Sequence, residues 1–427
     1  MTTESHLKNL ENQNHHKILR LAIGSLLILS FLLKICEFVL IYQKGIINFD
    51  SFQLTEFFIN YQGGFVRRGL TGEFFYHIYK ALGGFDTQLI LCIISFVIFF
   101  VVISFYMIEF HRKRYCWWIL FSPLLLNFSY YIIRKDFLLY GILILIIFCL
   151  RKPEPALRNR ICATLLLIIA LLSHEAIGFW GLPIYALLMW SFPRQRLINI
   201  ILSIFAIATF LLVIIFKGNQ EIAYAIADSW NAILPGAPID RDCEVNSIGA
   251  LAWETIGTFR WHWIVNKGEN HCGQLLTPFL ALGGYYLFSN FLNVFNYGKH
   301  NQQILANNRT AISLLYSTAI IFLSPMLTFV SCDGARIFQY AGIATFTTFI
   351  LIPSSKIIRI YPNWYVRLIE NINRRLTRYF TPSKGWMLLL LFFLAASPVG
   401  FSLNLNLSES VIGSIWESLI YMRRTFV

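Results

Sequence analysis

The sequence predicts an all-α protein, a polytopic bundle of about eleven transmembrane helices (10 to 12) built as a single integral-membrane domain over residues 1–427. Three observations carry this. Hydrophobic residues make up 57% of the chain and charged residues only 13%, whereas a soluble globular chain carries roughly a quarter charged residues. Apolar runs of about 17–25 residues, the span of a bilayer, recur along the whole length. No polar stretch is long enough to build a separate soluble domain.

The elements follow in order. The polar start, MTTESHLKNLENQNHH, leads into an apolar anchor without a small-residue cleavage site, so it does not read as a removable signal peptide. Spans are expected at 18–43, 87–110, 115–133, 137–150, 161–173, 176–192, 197–216, 274–295, 310–331, 337–353 and 385–403. Two pairs are short hairpins, turning at Arg134–Asp136 and at Ser173–Glu175. The connections then alternate between two sides. One side holds the N-terminus, HRKR (111–114), RKPEPALRNR (151–160), PRQR (193–196), 299–309 and the basic loop 354–384, and carries most of the 35 basic residues with few acids. By the positive-inside rule that side is cytoplasmic. The net charge of +13 is mostly this topological signal, and no stacking or zinc motif argues for nucleic acid. The C-terminal ESVIGSIWESLIYMRR reads as an interfacial amphipathic helix on the outer side.

The outer side collects the polar residues of interest. The first outer loop, 44–86, carries Asp50, Glu56, Arg67, Arg68 and Glu73. Tight outer turns hold Arg134-Lys135-Asp136, Ser173-His174-Glu175, and Asp333 with Arg336; a long outer loop spans 217–273. Charge at that depth is costly, so it lines a cavity or finds a partner. Blander readings stand beside this one. Arg134 and Lys135 also suit snorkelling anchors. His174-Glu175 also suits a capped helix end. Asp333 and Arg336, three apart, also suit a local ion pair, as do Lys34 and Glu37 in the first span.

In NYQGGFVRRGLTGE, Asn60 to Glu73, the sequence predicts an amphipathic helix lying along the outer leaflet. Phe65, Leu70, Phe74, Phe75, Ile78 and Leu82 would form its apolar face, with Arg67, Arg68 and Lys80 elsewhere. Two guanidiniums beside glycine-exposed backbone suit a phosphate or pyrophosphate, because the planar fork binds such oxygens bidentately. A lipid-anchoring helix fits the segment equally well.

Six of the eight cysteines (36, 92, 116, 149, 162 and 332) fall in or beside spans and read as buried apolar residues. Cys243 and Cys272 share the long outer loop, where an oxidising exterior would allow a disulfide between them. No metal-ligand spacing occurs, and no cofactor is indicated; a divalent ion held by Asp and Glu is compatible with the chain but not demanded.

Many spans, an acid shortly after the first span, an amphipathic first outer loop, a later long outer loop and outward Arg and His together resemble the GT-C integral-membrane glycosyltransferases and the Wzy-type O-antigen and capsule polymerases. The resemblance is architectural and covers most of the chain. It implies a GT-C-like bundle in the bacterial inner membrane, with a cytoplasmic N-terminus and a role in cell-surface polysaccharide assembly beside other assembly proteins. It implies a polyprenyl-(pyro)phosphate-linked sugar or glycan as substrate. Asp50 matches the position of the family's catalytic base, and Arg67, Arg68, Arg134 and Arg336 match outward arginines that hold the lipid carrier's pyrophosphate.

The expected chemistry is therefore outer-face glycosyl transfer, by a repeat-unit polymerase or a single-sugar transferase. Asp50 is the first candidate base, with His174 or Glu175 next. Arg67, Arg68, Arg134, Lys135 and Arg336 would meet the leaving phosphate, with Glu73, Asp136 and Asp333 in support. Trp253, Trp261 and Trp263 would stack on sugar or form an interface belt. The rival classes are a transporter or flippase of an anionic lipid-linked substrate, and an outer-face acyltransferase using His174. The absence of an internal repeat and the one-sided polar cluster favour outward chemistry over alternating access.

Overall fold

The computed structural model describes residues 3–43, 52–82, 87–121, 125, 134–234, 239–242, 246–253, 282–292, 302–326, 334–379, 386–387, 415–416, 418–420 and 423–424. Every regular element among them is a helix. These are α1 (Thr3–Gln43), α2 (Phe52–Phe58), α3 (Gly69–Leu82), α4 (Thr87–Arg112), α5 (Lys135–Leu150), α6 (Leu157–Ser173), α7 (Ala176–Trp190), α8 (Arg196–Ile215) and α9 (Gln220–Asn231). They continue with α10 (282–292), then α11 (Gln302–Pro325), α12 (Gly334–Leu351), α13 (Ser354–Ile360) and α14 (Asn363–Tyr379).

Among the described residues, Leu89–Arg112 and Arg196–Ile215 are long and apolar enough to cross a membrane. A third candidate joins Arg336–Leu351 to Ser354–Ile360 through a 117° bend. Only 22% of the most apolar window of α8 is buried, and Leu197, Ile204, Phe205 and Ile215 all face outward. An apolar surface that size has no place in water, and the chain is a membrane-associated helical protein. Helices also form where shorter spans were expected, in α5, α6 and α7. The expected span 115–133 differs: Trp117–Phe121 is a 3-10 turn, held by Phe121 stacking on Phe31 of α1 at 4.5 Å.

The main core lies around α5, which is apolar on every side and buried along most of its length. Polar contacts lock its neighbours together. Tyr106 of α4 and Thr347 of α12 share a hydrogen bond of 2.5 Å, and Thr164 of α6 meets Tyr185 of α7 at 2.6 Å. Trp180 of α7 stacks on Tyr340 of α12 at 5.2 Å. At the C-terminal end of α5, the Lys356 ammonium donates to the carbonyl of Lys152 at 2.8 Å. Buried Arg160 donates to the carbonyl of Arg194 and the side chain of Asn199. These two basic residues, expected as generic anchors, satisfy helix-end and loop carbonyls instead.

A second, smaller core joins the first outer loop to the start of the long one. Trp230 of α9 sits at its centre, donating its indole N–H to the carbonyl of Phe58 at 2.6 Å and meeting the rings of Phe58, Tyr76 and Tyr79. Within residues 44–86 the helix starts later than the sequence pattern predicts. Helix α3 begins at Gly69, after both arginines. It buries Tyr76 and Tyr79 against Trp230 of α9 and Phe75 against Phe57 of α2. Part of the apolar face thus packs on the aromatic partner in α9, while Phe65 and Phe74 stay exposed.

Helices α2 and α3 meet backbone to backbone at Gly72. A methyl group there would lie 1.9 Å from the Ile59 carbonyl oxygen and 2.9 Å from that of Phe57. Gly72→Ala should cost about 1–3 kcal/mol or more and lower the unfolding temperature of the full chain in detergent. Gly283→Ala, where nothing lies within 4 Å, should leave that temperature unchanged.

Candidate functional site

The site is a buried charge cluster at the end of the bundle where α5, α7 and α12 all begin. Its hub is Glu56 on α2, an acid set in the otherwise apolar run LTEFFI and 1% exposed. Its Oε1 lies 2.8 Å from His174 Nε2, 3.4 Å from Arg68 Nη1 and 4.0 Å from Arg336 Nη2. Three separate parts of the chain thus converge on one carboxylate oxygen.

Arg68 precedes α3 in a left-handed conformation, φ +67°, which a non-glycine residue adopts only when its surroundings hold it there. Its side chain grips Glu175 as a fork. Nε donates to the two carboxylate oxygens at 2.8 and 3.0 Å, and Nη2 donates to Oε1 as well. The Lys135 ammonium donates to the Arg68 carbonyl at 3.0 Å and to the Ser173 carbonyl at 3.4 Å. It ties the arginine's backbone to the α6–α7 turn. Arg67 donates its backbone N–H to the Phe216 carbonyl at 2.9 Å, and its Nη1 lies 3.5 Å from Glu175.

A second fork stands beside the first. Arg336, in the first turn of α12, donates to Asp136 at 2.8 to 3.2 Å. Tyr340, one turn further on, donates to the same carboxylate at 2.5 Å. Arg134 Nη1 lies 3.9 Å from it. Asp136 and Glu175 each occupy the start of a helix, where the macrodipole favours negative charge.

His174 closes the turn. Its Nδ1 accepts the backbone N–H of Ala176 at 3.1 Å, so in the neutral ring the proton sits on Nε2. That Nε2 is buried and close to Glu56, yet it lacks an aligned hydrogen bond. Arg67 Nε is likewise buried with no hydrogen-bond partner. Burial and Arg68 hold the imidazole below its ordinary 6.5, against the pull of Glu175 and Glu56. Burial alone would raise the carboxyls of Glu56 and Glu175, but the cations around them outweigh it and hold both well below 4.5.

Of the residues expected from the sequence, the structure brings together Arg67, Arg68, Arg134, Lys135, Asp136, His174, Glu175 and Arg336. Arg134 and Lys135 do not snorkel; their side chains are buried in the cluster. Glu73 is not part of it. It accepts from the Tyr61 backbone N–H and the Gln62 side chain at 2.8 and 2.9 Å, clamping its own loop. Asp50, Asp333, Cys243, Cys272, Trp261 and Trp263 lie outside the described residues, as do the side chains of Lys34 and Glu37. Among the described residues, no three His, Cys, Asp or Glu side chains are grouped to hold a metal ion. Two members were missed as site residues. Glu56 was signalled by its apolar flanks, and Tyr340 by its spacing of four from Arg336.

Comparison with family models, curated proteins and solved structures returned no match.

The Arg68–Glu175 pair should be strongly coupled. Glu175→Gln leaves Arg68 and Arg67 buried without their carboxylate and should cost about 3–5 kcal/mol; thermal unfolding should show Arg68→Met combined with Glu175→Leu recovering part of it.

The pH dependence has a defined sign. The folded cluster binds fewer protons than the unfolded chain, so stability falls on acidification. On the acid side of neutrality the first loss begins below about 6.5, as the unfolded imidazole takes a proton that buried His174 refuses. The second begins below 4.5, as the unfolded carboxyls protonate. His174→Gln should reduce the first loss and leave the second; equal profiles for wild type and variant would contradict the assignment.

Proposed function

We propose that the Glu56 cluster binds the phosphate of a polyprenyl-(pyro)phosphate-linked sugar or glycan, and that the chain transfers that sugar on the outer face of the bacterial inner membrane. The observation that carries the reading is the buried Arg67 Nε, an N–H donor with no hydrogen-bond partner inside a cluster rich in cations. Leaving a buried donor unsatisfied costs roughly 1–3 kcal/mol, and an anion accepting from it would satisfy it. The surrounding Arg68 and Lys135 and the converging helix N-termini favour negative charge at the same place.

In this reading the chain is a GT-C-like bundle of about eleven spans with a cytoplasmic N-terminus. The bond from the anomeric carbon to the phosphate oxygen breaks, and that oxygen leaves with the electron pair. Arg67, Arg68 and the His174 Nε2–H meet the developing charge. The acceptor hydroxyl attacks the anomeric carbon and gives its proton to a carboxylate in the first outer loop. Asp50 is the proposed base. Glu56, gripped by cations and held well below the usual carboxylate range, is a poor proton acceptor; its proposed role is to position Arg68, His174 and Arg336.

Lipid-linked glycan analysis in a deletion strain tests this. Loss of long chains with single repeat units accumulating marks a polymerase, and loss of one branch sugar marks a single-sugar transferase. Unchanged glycans, or substrate held on the cytoplasmic leaflet, would overturn the reading. In complementation, Asp50→Asn should abolish function, and Arg67→Gln should lower it by about tenfold or more at unchanged protein level.

A further inference from the structure

A second surface lies at the opposite end of the bundle. Helix α5 begins at Lys135 in the charge cluster and ends at Leu150, whose carbonyl, like those of Arg151 and Lys152, accepts from Lys356 of α13. Helix α14 follows directly, on the side that the charge rule reads as cytoplasmic.

The inner face of α14 is fixed by polar contacts. Asn373 accepts from the Tyr285 hydroxyl at 2.9 Å and donates to Ser313 at 3.1 Å. Thr377 accepts from Arg309 at 3.1 Å, and Ile369 is buried. The helix is therefore locked in rotation about its axis, and its other faces are presented outward. Trp364, Leu368, Ile372 and Tyr379 fall within one quarter of the helix circumference, and all four are exposed, the two aromatic residues at 69% and 76%. Beside this apolar strip stand Arg367, Arg374 and Arg378, and Arg375 stands at its near edge between Trp364 and Leu368 in projection, all exposed. The helix holds a single acid, Glu370, which lies on the arginine side, three residues from Arg367 and four from Arg374, and leaves that side net positive.

We infer that α14 is a docking surface for acidic phospholipid in the cytoplasmic leaflet. The apolar strip enters the headgroup–acyl boundary, and the arginine ridge takes the phosphodiester oxygens. Three features select a bilayer as the occupant. The chain is already membrane-associated, so this face lies at a bilayer surface. Trp and Tyr at the two ends of an apolar strip match the interface zone. Four guanidiniums along its edge complement anionic headgroups, which they bind as forks. The inference rests on membrane association and is independent of the chemistry at the Glu56 cluster.

Native mass spectrometry of the full chain in detergent, titrated with phosphatidylglycerol or phosphatidylcholine, tests it. Wild type should retain phosphatidylglycerol in preference. Each basic residue near an acidic lipid surface is worth roughly fivefold, so R367Q/R374Q/R375Q/R378Q should lose that preference by about tenfold or more. The four Arg→Lys version should keep most of it, which separates charge from misfolding. R112Q/K113Q/R114Q, which removes basic residues outside α14 on the same side, should cost clearly less of the preference than the four-arginine variant of α14. Equal retention of the two lipids by wild type, or equal loss in R112Q/K113Q/R114Q, would overturn the proposal.

Discussion

The structure around the end of the bundle where α5, α7 and α12 begin depends on one buried contact, the fork of Arg68 on Glu175. Both charges are largely removed from water, so each depends on opposite charge around it: the other member first, then Glu56 for Arg68 and Arg67 for Glu175. The pair joins the first outer loop to the α6–α7 turn, two segments 107 residues apart in sequence. Glu56 extends it to Arg336, which holds Asp136 in a second fork across 200 residues. Loop, turn and helix starts are thus held in one network, and each member is costly without the rest.

The same constraint accounts for the local oddities. Arg68 takes a left-handed backbone conformation that lets its side chain reach Glu175 while its carbonyl accepts from Lys135. Lys135 is buried beside two carbonyls with no carboxylate within ion-pair distance among the described residues, so it acts as a brace between Arg68 and Ser173. Three helix N-termini point their partial positive charge at the same volume, which strengthens the hold on Asp136 and Glu175. The surroundings are positive, and the buried Arg67 Nε in them remains unsatisfied. A site with that character is suited to an anion.

Much of this was legible in the sequence. Sorting loops by charge placed Arg67, Arg68, Arg134, Lys135, His174, Glu175 and Arg336 on one side of the membrane, and the structure gathers them in one cluster. Composition and apolar runs gave the helical class, because α-helix periodicity and bilayer length are local properties. What stayed hidden was pairing. Nothing local tells Arg336 to choose Asp136, or Glu56 to sit between three cations. The inward face of the helix after Arg68 stayed hidden for the same reason: Tyr76 and Tyr79 turn toward Trp230, which lies far along the chain. Arg160 and Lys356 looked like ordinary surface cations because the carbonyls they satisfy belong to other helix ends.

The central claim is that the Glu56 cluster is a phosphate-binding site. The most direct measurement compares binding of a polyprenyl phosphate and of the uncharged polyprenol of equal length to the purified full chain. The account requires the phosphate to bind at least about tenfold more tightly, as one charge-assisted contact warrants, and the difference to vanish in Arg67→Gln. Equal affinity for the two lipids, or an advantage that survives Arg67→Gln, would contradict it.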